Sequence, residues 1–80
     1  MDIKRAAALG NTCIKDLFRN CVITDIRFEA AVPDNLNDRW EVTYSFMQNL
    51  PRAAQRVFKA MTIDGQTGDI LAVEEKCRIE

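Results

Sequence analysis

Two β-prone runs separated by a glycine-bearing turn dominate the C-terminal half of this 80-residue chain. The runs cover residues 56–63 and 70–75, and the Asp-Gly-Gln-Thr-Gly-Asp sequence between them predicts a β-hairpin. If residues 65–68 form a four-residue loop, Gly68 can adopt the left-handed conformation that is unfavourable for a residue with a Cβ. Asp64 can then accept hydrogen bonds from the backbone N–H groups of the turn. We expect the rest of the chain to supply one helix and two further strands.

The length of this turn decides which hairpin side chains are expected to point inward. A four-residue loop pairs Asp64 with Asp69, and counting back from that pair divides the side chains into two faces. We expect the face without Lys59 and Glu74 to be buried, because this choice leaves that pair in water as cross-strand partners. A loop one residue longer or shorter would exchange the faces. The expected buried residues are Phe58, Ala60, Leu71 and Val73, and the expected outer residues are Met61, Ile63 and Ile70.

An amphipathic helix is predicted from about residue 3 to residue 19. Asp2 can cap it, and apolar residues at spacings of three and four form one stripe along it. Gly10 lies in that stripe although glycine in a helix costs about 1 kcal/mol relative to alanine. Its position predicts close approach to the sheet near Trp40 or Tyr44, with a helix kink as the alternative. The stripe consists of Ile3, Ala7, Gly10, Ile14, Leu17 and, at its end, Cys21.

Two further strands are predicted between the helix and the hairpin. Apolar and polar residues alternate over residues 22–32 and more regularly over residues 39–48, and residues 33–38 between them are rich in turn-forming types. The whole chain is therefore expected to form a single α+β domain, residues 1–80, in which one N-terminal helix packs across a four-stranded antiparallel β-meander in two layers. The strand residues expected to form the centre of the core are Trp40, Val42, Tyr44 and Phe46.

Composition argues against several classes of function. A net charge of −1 gives no general field to attract nucleic acid or an anionic membrane. No apolar run is long enough for a membrane span or a secretory signal, so a cytoplasmic location is expected. The chain has no histidine, and no serine or cysteine stands in a recognisable nucleophile context. We therefore expect neither an enzyme nor a cofactor site.

The three cysteines are expected to be reduced and mostly buried. Cys13 and Cys21, if both helical, lie too far apart for a disulfide. Either of them can in principle meet Cys77, which would leave an odd thiol. Without histidine or a close cysteine pair, no metal site is expected.

The element order and the last hairpin resemble the PepSY domain and similar small cystatin-like bacterial modules. In that family an apolar residue and Asp typically precede the last turn, and Thr-Gly-Glu-Val-Leu follows it. Here Ile63 and Asp64 precede the turn, and Thr-Gly-Asp-Ile-Leu at residues 67–71 matches conservatively. The resemblance implies an inhibitory or protein-binding module of the kind often found beside peptidases.

Two functions are expected on these grounds. The first is a non-enzymatic protein-binding module, an inhibitor or adaptor, that uses the outer sheet face or an open strand edge. The alternative is a self-associating structural domain in which a homodimer closes the same surface. The residues predicted to bind the protein partner or the second copy are Met61, Ile63, Ile70, Val57 and Met47.

Overall fold

The computed structural model describes residues 1–49 and 53–76, and it has the α+β architecture that the sequence predicts. The four strands form one antiparallel sheet in the order β1-β2-β3-β4, with the helix packed on one face. Predictions about Pro51, Arg52, Cys77 and the end of the charged tail lie outside the described residues. The elements are α1 (Ile3–Leu17), β1 (Ile23–Asp34), β2 (Arg39–Asn49), β3 (Ala54–Asp64) and β4 (Ile70–Lys76).

Helix α1 begins where the sequence predicts and ends two residues earlier. Asp2 caps it, because its carboxylate accepts a hydrogen bond from the backbone N–H of Arg5 at 2.8 Å. Ile3 and Leu17, predicted to belong to the buried stripe, are instead about half exposed. The sheet covers only the middle of the helix, where the buried residues are Ala6, Gly10 and Ile14. Ala6 was not predicted in the stripe, and Ala7, which was, is only partly buried.

Gly10 sets the separation between the helix and the sheet. A Cβ at this position would lie 2.9 Å from Cγ1 of Val42 and 3.0 Å from Cε2 of Tyr44. The Tyr44 hydroxyl also donates a hydrogen bond to the backbone oxygen of Ala7 at 2.7 Å. The close approach predicted at Gly10 is confirmed, and of the two proposed neighbours Tyr44 is the one in contact.

The β3–β4 turn has the predicted geometry. The backbone N–H of Asp64 donates to the oxygen of Asp69 at 2.9 Å, and that of Gly68 donates to the oxygen of Asp64 at 3.0 Å. Gly68 has a φ of 80°, as the left-handed conformation requires. The backbone N–H groups of Thr67 and Gln66 donate to the Asp64 carboxylate at 3.0 and 2.8 Å, and these bonds hold its pKa below the usual range.

The facing of β3 is the reverse of the prediction. Met61 and Ile63 are fully buried in the same core as Ile14 on the helix. They pair across the sheet with Val42 and Trp40, which supply the inner side chains of β2. The prediction that Met61 and Ile63 lie on an exposed outer face is therefore wrong. Phe58 and Ala60, expected on the buried face with the helix, lie on the opposite face, where Ala60 is nevertheless buried.

The position of Lys59 explains this error. Lys59 lies on the inner face after all, where its side chain is only 20% exposed. Its ammonium group lies 5.8 Å from the centre of the Phe18 ring and 3.4 Å from the carboxylate of Glu75. A ring face and a carboxylate can hold a lysine at the margin of a core, so the requirement that Lys59 remain in water does not apply. Its cross-strand partner is Glu75, not the predicted Glu74.

A bulge in β4 produces that change of partner. Ile63 pairs with Ile70 as predicted, but Thr62 pairs with Ala72, so Leu71 is the extra residue. All residues of β4 are exposed, including Leu71 and Val73, which were predicted to be buried. The core centred on β2 is confirmed, because Val42, Tyr44 and Phe46 are buried and Trp40 packs against them.

Replacing Gly10 with alanine should lower the free energy of unfolding by about 1–3 kcal/mol, although alanine is the better helix former. Val42 is fully buried and Tyr44 is held by its hydrogen bond, so neither can move away from the added methyl group. Urea unfolding followed by circular dichroism measures the change. Asn11→Ala, which improves helix propensity without this overlap, should not destabilise the domain. A more stable Gly10→Ala variant would contradict the role given to Gly10.

Replacing Ile63 with aspartate should unfold the domain, because it places an unpaired carboxylate in the core. The matched control is Val32→Asp, which makes a comparable change at an exposed position of β1. Circular dichroism and thermal melting distinguish the two outcomes. A cooperative melt of Ile63→Asp near the wild-type temperature would mean that Ile63 is not in the core.

Candidate functional site

The two edge strands of the sheet differ in how readily they can accept another strand. The register of β1 shifts at residues 25–26 and again at residue 29. Asp25 has a φ of 52°, which is uncommon for a residue other than glycine, and Pro33 near the end of β1 has no N–H to donate. Bulges and proline are features that block pairing at a sheet edge. The β1 edge is therefore poorly suited to strand addition.

The β4 edge is more regular. β4 pairs with β3 on one side, and within residues 1–49 and 53–76 no strand covers its other side. After the bulge at Leu71 its register is continuous from Ala72 to Lys76. An exposed edge of this kind presents unpaired N–H and C=O groups to an extended segment of another chain.

An apolar groove of about 250 Å³ lies between α1 and the start of β4. Helix α1 lies closest to β2 and β1, so the inner side of β4 is incompletely covered. Leu17 on the helix is 54% exposed, and Ile70 and Val73 on β4 are 37% and 38% exposed. The groove therefore offers apolar surface directly beside the open strand edge. Its lining includes Leu9, Cys13, Asp16, Leu17 and Ile70.

Cys13 contributes an uncharged thiol to the groove. Burial raises its pKa, and the nearby charge of Asp16 raises it further. The protonated thiol acts there as a small apolar group and not as a nucleophile. Cys13 and Cys21 are both free, and Cys21 is exposed, contrary to the expectation of mostly buried thiols.

The second half of β4 is charged. Lys76 donates to Glu41 at 2.9 Å, and this hydrogen bond raises the pKa of Lys76. Glu75 pairs with Lys59, as described above. Glu74 makes no ion pair with any residue in the part of the chain that the structure describes. Glu74 also interacts with the charge of Lys76, so three carboxylates, those of Glu41, Glu74 and Glu75, surround two lysines and the edge keeps a net negative charge.

A polar cluster lies on the sheet face opposite the helix and joins three strands. The Arg56 guanidinium donates to Oγ of Ser45 at 2.8 Å and to the carboxylate of Asp25. The Ser45 hydroxyl donates to Glu29 at 2.5 Å, and Arg27 pairs with Asp25 at 2.8 Å. Ser45 is fully buried and Arg56 is engaged on both sides, so the cluster fixes the bulged β1 to the sheet.

The sequence did not reveal this cluster. Arg56 was predicted at the start of the first hairpin strand and does lie in β3, but its partners in β1 and β2 were not foreseen. Each of the three strands supplies part of the network, so no spacing along the chain indicates it.

Of the residues predicted to bind a partner, Ile70 alone lies at the groove. Met61 and Ile63 are in the core, and Val57 packs against the core on the same face. Met47 is partly buried on the opposite face, where it pairs with Arg56. Sequence reasoning missed Leu9, Cys13 and Leu17 as groove residues, because they were assigned to the covered side of the helix or given no role.

Two other kinds of site were sought in the described ranges. Residues 1–49 and 53–76 contain no group of three or more His, Cys, Asp or Glu side chains arranged to hold a metal ion. No helix in these ranges has the length and apolar character needed to cross a bilayer.

Comparison with known proteins identifies no relative: no family model, curated protein or solved structure matches this chain. The resemblance to the PepSY domain stays a prediction.

Acid should destabilise the domain, and Asp25 should account for part of the loss. The hydrogen bond from Arg27 and the charges of Arg27 and Arg56 hold the pKa of Asp25 below its usual range. A carboxyl group with a lowered folded-state pKa stabilises the fold above its unfolded pKa of about 3.9, and this contribution is lost as pH falls through the folded value. Between about pH 4 and pH 2, Asp25→Asn should therefore lose less stability than the wild type.

Urea unfolding at several pH values measures this dependence. The control is Asp16→Asn, at an exposed aspartate that forms no ion pair within residues 1–49 and 53–76. It should keep the pH dependence of the wild type. An unchanged slope in Asp25→Asn would show that the Asp25 contacts do not contribute to folding.

Proposed function

We propose that this chain is a non-enzymatic protein-binding module, an adaptor or inhibitor, that captures an extended segment of a partner protein along β4. The observation that carries the proposal is the exposed edge of β4, whose register is continuous from Ala72 to Lys76, beside an apolar groove. The partner backbone pairs with β4, and its inward side chains enter the groove. Backbone pairing provides affinity, and the groove provides selectivity for side chains.

The exposed apolar surface supplies part of the free energy that capture requires, and backbone pairing supplies the rest. Burying a leucine, isoleucine or valine side chain completely contributes about 1.5–3 kcal/mol. Leu17, Ile70 and Val73 are one third to one half exposed, so covering them contributes about 0.5–1.5 kcal/mol each. Against the cost of association, this favours reversible binding over a permanent complex.

Other parts of the surface are less suited to this role. The β1 edge is interrupted by two register shifts. On the face opposite the helix, Arg56 already donates to Ser45 and Asp25. The proposal includes no catalysis, because the Ser45 hydroxyl that bonds Glu29 is buried out of reach of a substrate.

Self-association through β4 is the alternative. In an antiparallel pairing over all of β4, residues 70–72 of a second copy would lie opposite residues 74–76 of the first. The apolar half of each copy would then face the charged half of the other, which leaves Glu74 and Glu75 without charged cross-strand partners. This mismatch favours a partner of different sequence.

The test is selection of seven-residue peptides, the length of β4, from a random displayed library, followed by NMR titration of the labelled domain. Selected peptides should shift and protect the amides of residues 70–76. Leu17→Lys, which removes apolar surface from the groove, should weaken their binding about tenfold. Leu36→Lys, which makes the same change at an exposed turn position, should not. Both substitutions are at exposed positions, and circular dichroism verifies that each variant is folded.

Three outcomes would contradict the proposal. Selection of no peptide is the first, and equal effects of the two lysine variants is the second. The third is a stable dimer by light scattering with residues 70–76 protected in the absence of peptide, which would support the homodimer instead.

A further inference from the structure

We infer that the segment captured along β4 joins an apolar strand to a basic end, with its lysine or arginine residues preceding its apolar residues. This inference rests on the proposed function and adds the chemistry of the partner. It follows from the distribution of charge along β4 and across the groove.

The two halves of β4 differ in character. Residues 70–73 are Ile-Leu-Ala-Val, and the first of them, Ile70, lines the apolar groove, whereas residues 74–76 are Glu-Glu-Lys. A segment that matches β4 along its length therefore needs apolar side chains opposite the first half and charged or polar side chains opposite the second half.

The charge available at this edge is negative. The ammonium groups of Lys76 and Lys59 are held by Glu41 and Glu75 at 2.9 and 3.4 Å. Glu74 forms no ion pair within residues 1–49 and 53–76. A basic side chain opposite Glu74 would gain a cross-strand ion pair, whereas an acidic side chain there would be repelled.

The wall of the groove carries charge of the same sign. Asp16 on α1 lines the groove, and it too has no ion-pair partner in the described part of the chain. Glu74 pairs with Ala60 and therefore lies on the face opposite the helix, so Asp16 and Glu74 place carboxylates on opposite sides of the captured strand. The chain as a whole carries a charge of only −1, so this preference is local to the site.

The order of the two parts follows from strand direction. Every pair in this sheet is antiparallel, and antiparallel pairing is slightly more stable per residue than parallel pairing. A segment antiparallel to β4 places its N-terminal part opposite Glu74 and Glu75 and its C-terminal part opposite Ile70. Basic residues therefore come first in the partner segment.

The experiment compares synthetic peptides by NMR titration of the labelled domain. The first, lysine-first peptide is threonine-lysine-lysine-valine-threonine-valine-valine, whose lysines lie opposite Glu75 and Glu74 when it pairs antiparallel with residues 70–76. The second peptide has two glutamates in place of the lysines, and the third has the lysines at its C-terminal end. The lysine-first peptide should bind about fivefold to tenfold more tightly than either of the others and should shift the amides of residues 70–76.

Two variants with the same change in net charge separate a local effect from a general one. Glu74→Gln should reduce the preference for the lysine-first peptide over the glutamate peptide by about threefold. Asn35→Lys, in the exposed turn between β1 and β2, should leave that preference unchanged. Both positions are exposed, and circular dichroism verifies that each variant is folded.

The contrary outcomes distinguish this inference from the proposed function. Equal or tighter binding of the glutamate peptide at residues 70–76 would overturn the inference and leave strand capture intact. Equal or tighter binding of the lysine-last peptide would overturn the antiparallel order. If no peptide perturbs residues 70–76, strand capture itself fails and the inference fails with it.

Discussion

The contact between Gly10 and β2 determines how the two layers of this domain fit together. Because Gly10 has no side chain, the helix backbone approaches Val42 and Tyr44 directly, and the hydrogen bond from Tyr44 to Ala7 fixes the helix along the sheet. The helix is thereby seated over β2 and toward β1. β4, on the far side of the sheet, keeps part of its inner face uncovered. The groove beside β4 is thus a consequence of the packing of the helix on β2 and β1.

Features that depend on residues close together in the chain could be predicted from the sequence. The Asp2 cap, the left-handed Gly68 and the alternating core side chains of β2 each follow from a few neighbouring residues. The facing of β3 could not be predicted in the same way. It depends on Lys59, whose charge is accommodated by Phe18 from the segment after the helix and by Glu75 from β4. Those neighbours meet only in the folded chain.

The sequence predicted the kind of candidate site but not its place in the sheet. An open strand edge was expected, but the sequence did not indicate which edge is regular, because the bulges of β1 depend on contacts between strands. Asp25 adopts its unusual backbone conformation where Arg27 and Arg56 both bind its carboxylate. The groove was missed because Leu17 was expected to be covered, although it lies beyond the part of the sheet that covers the helix.

The irregular geometry of β1 also limits the size of any assembly. A sheet with two receptive edges can be extended head to tail without end, which is how filaments form. In this domain the β4 edge is exposed, whereas the β1 edge is interrupted by register shifts and a proline. Strand addition at β4, as proposed, would therefore not be continued through β1, and a complex formed in this way would be finite.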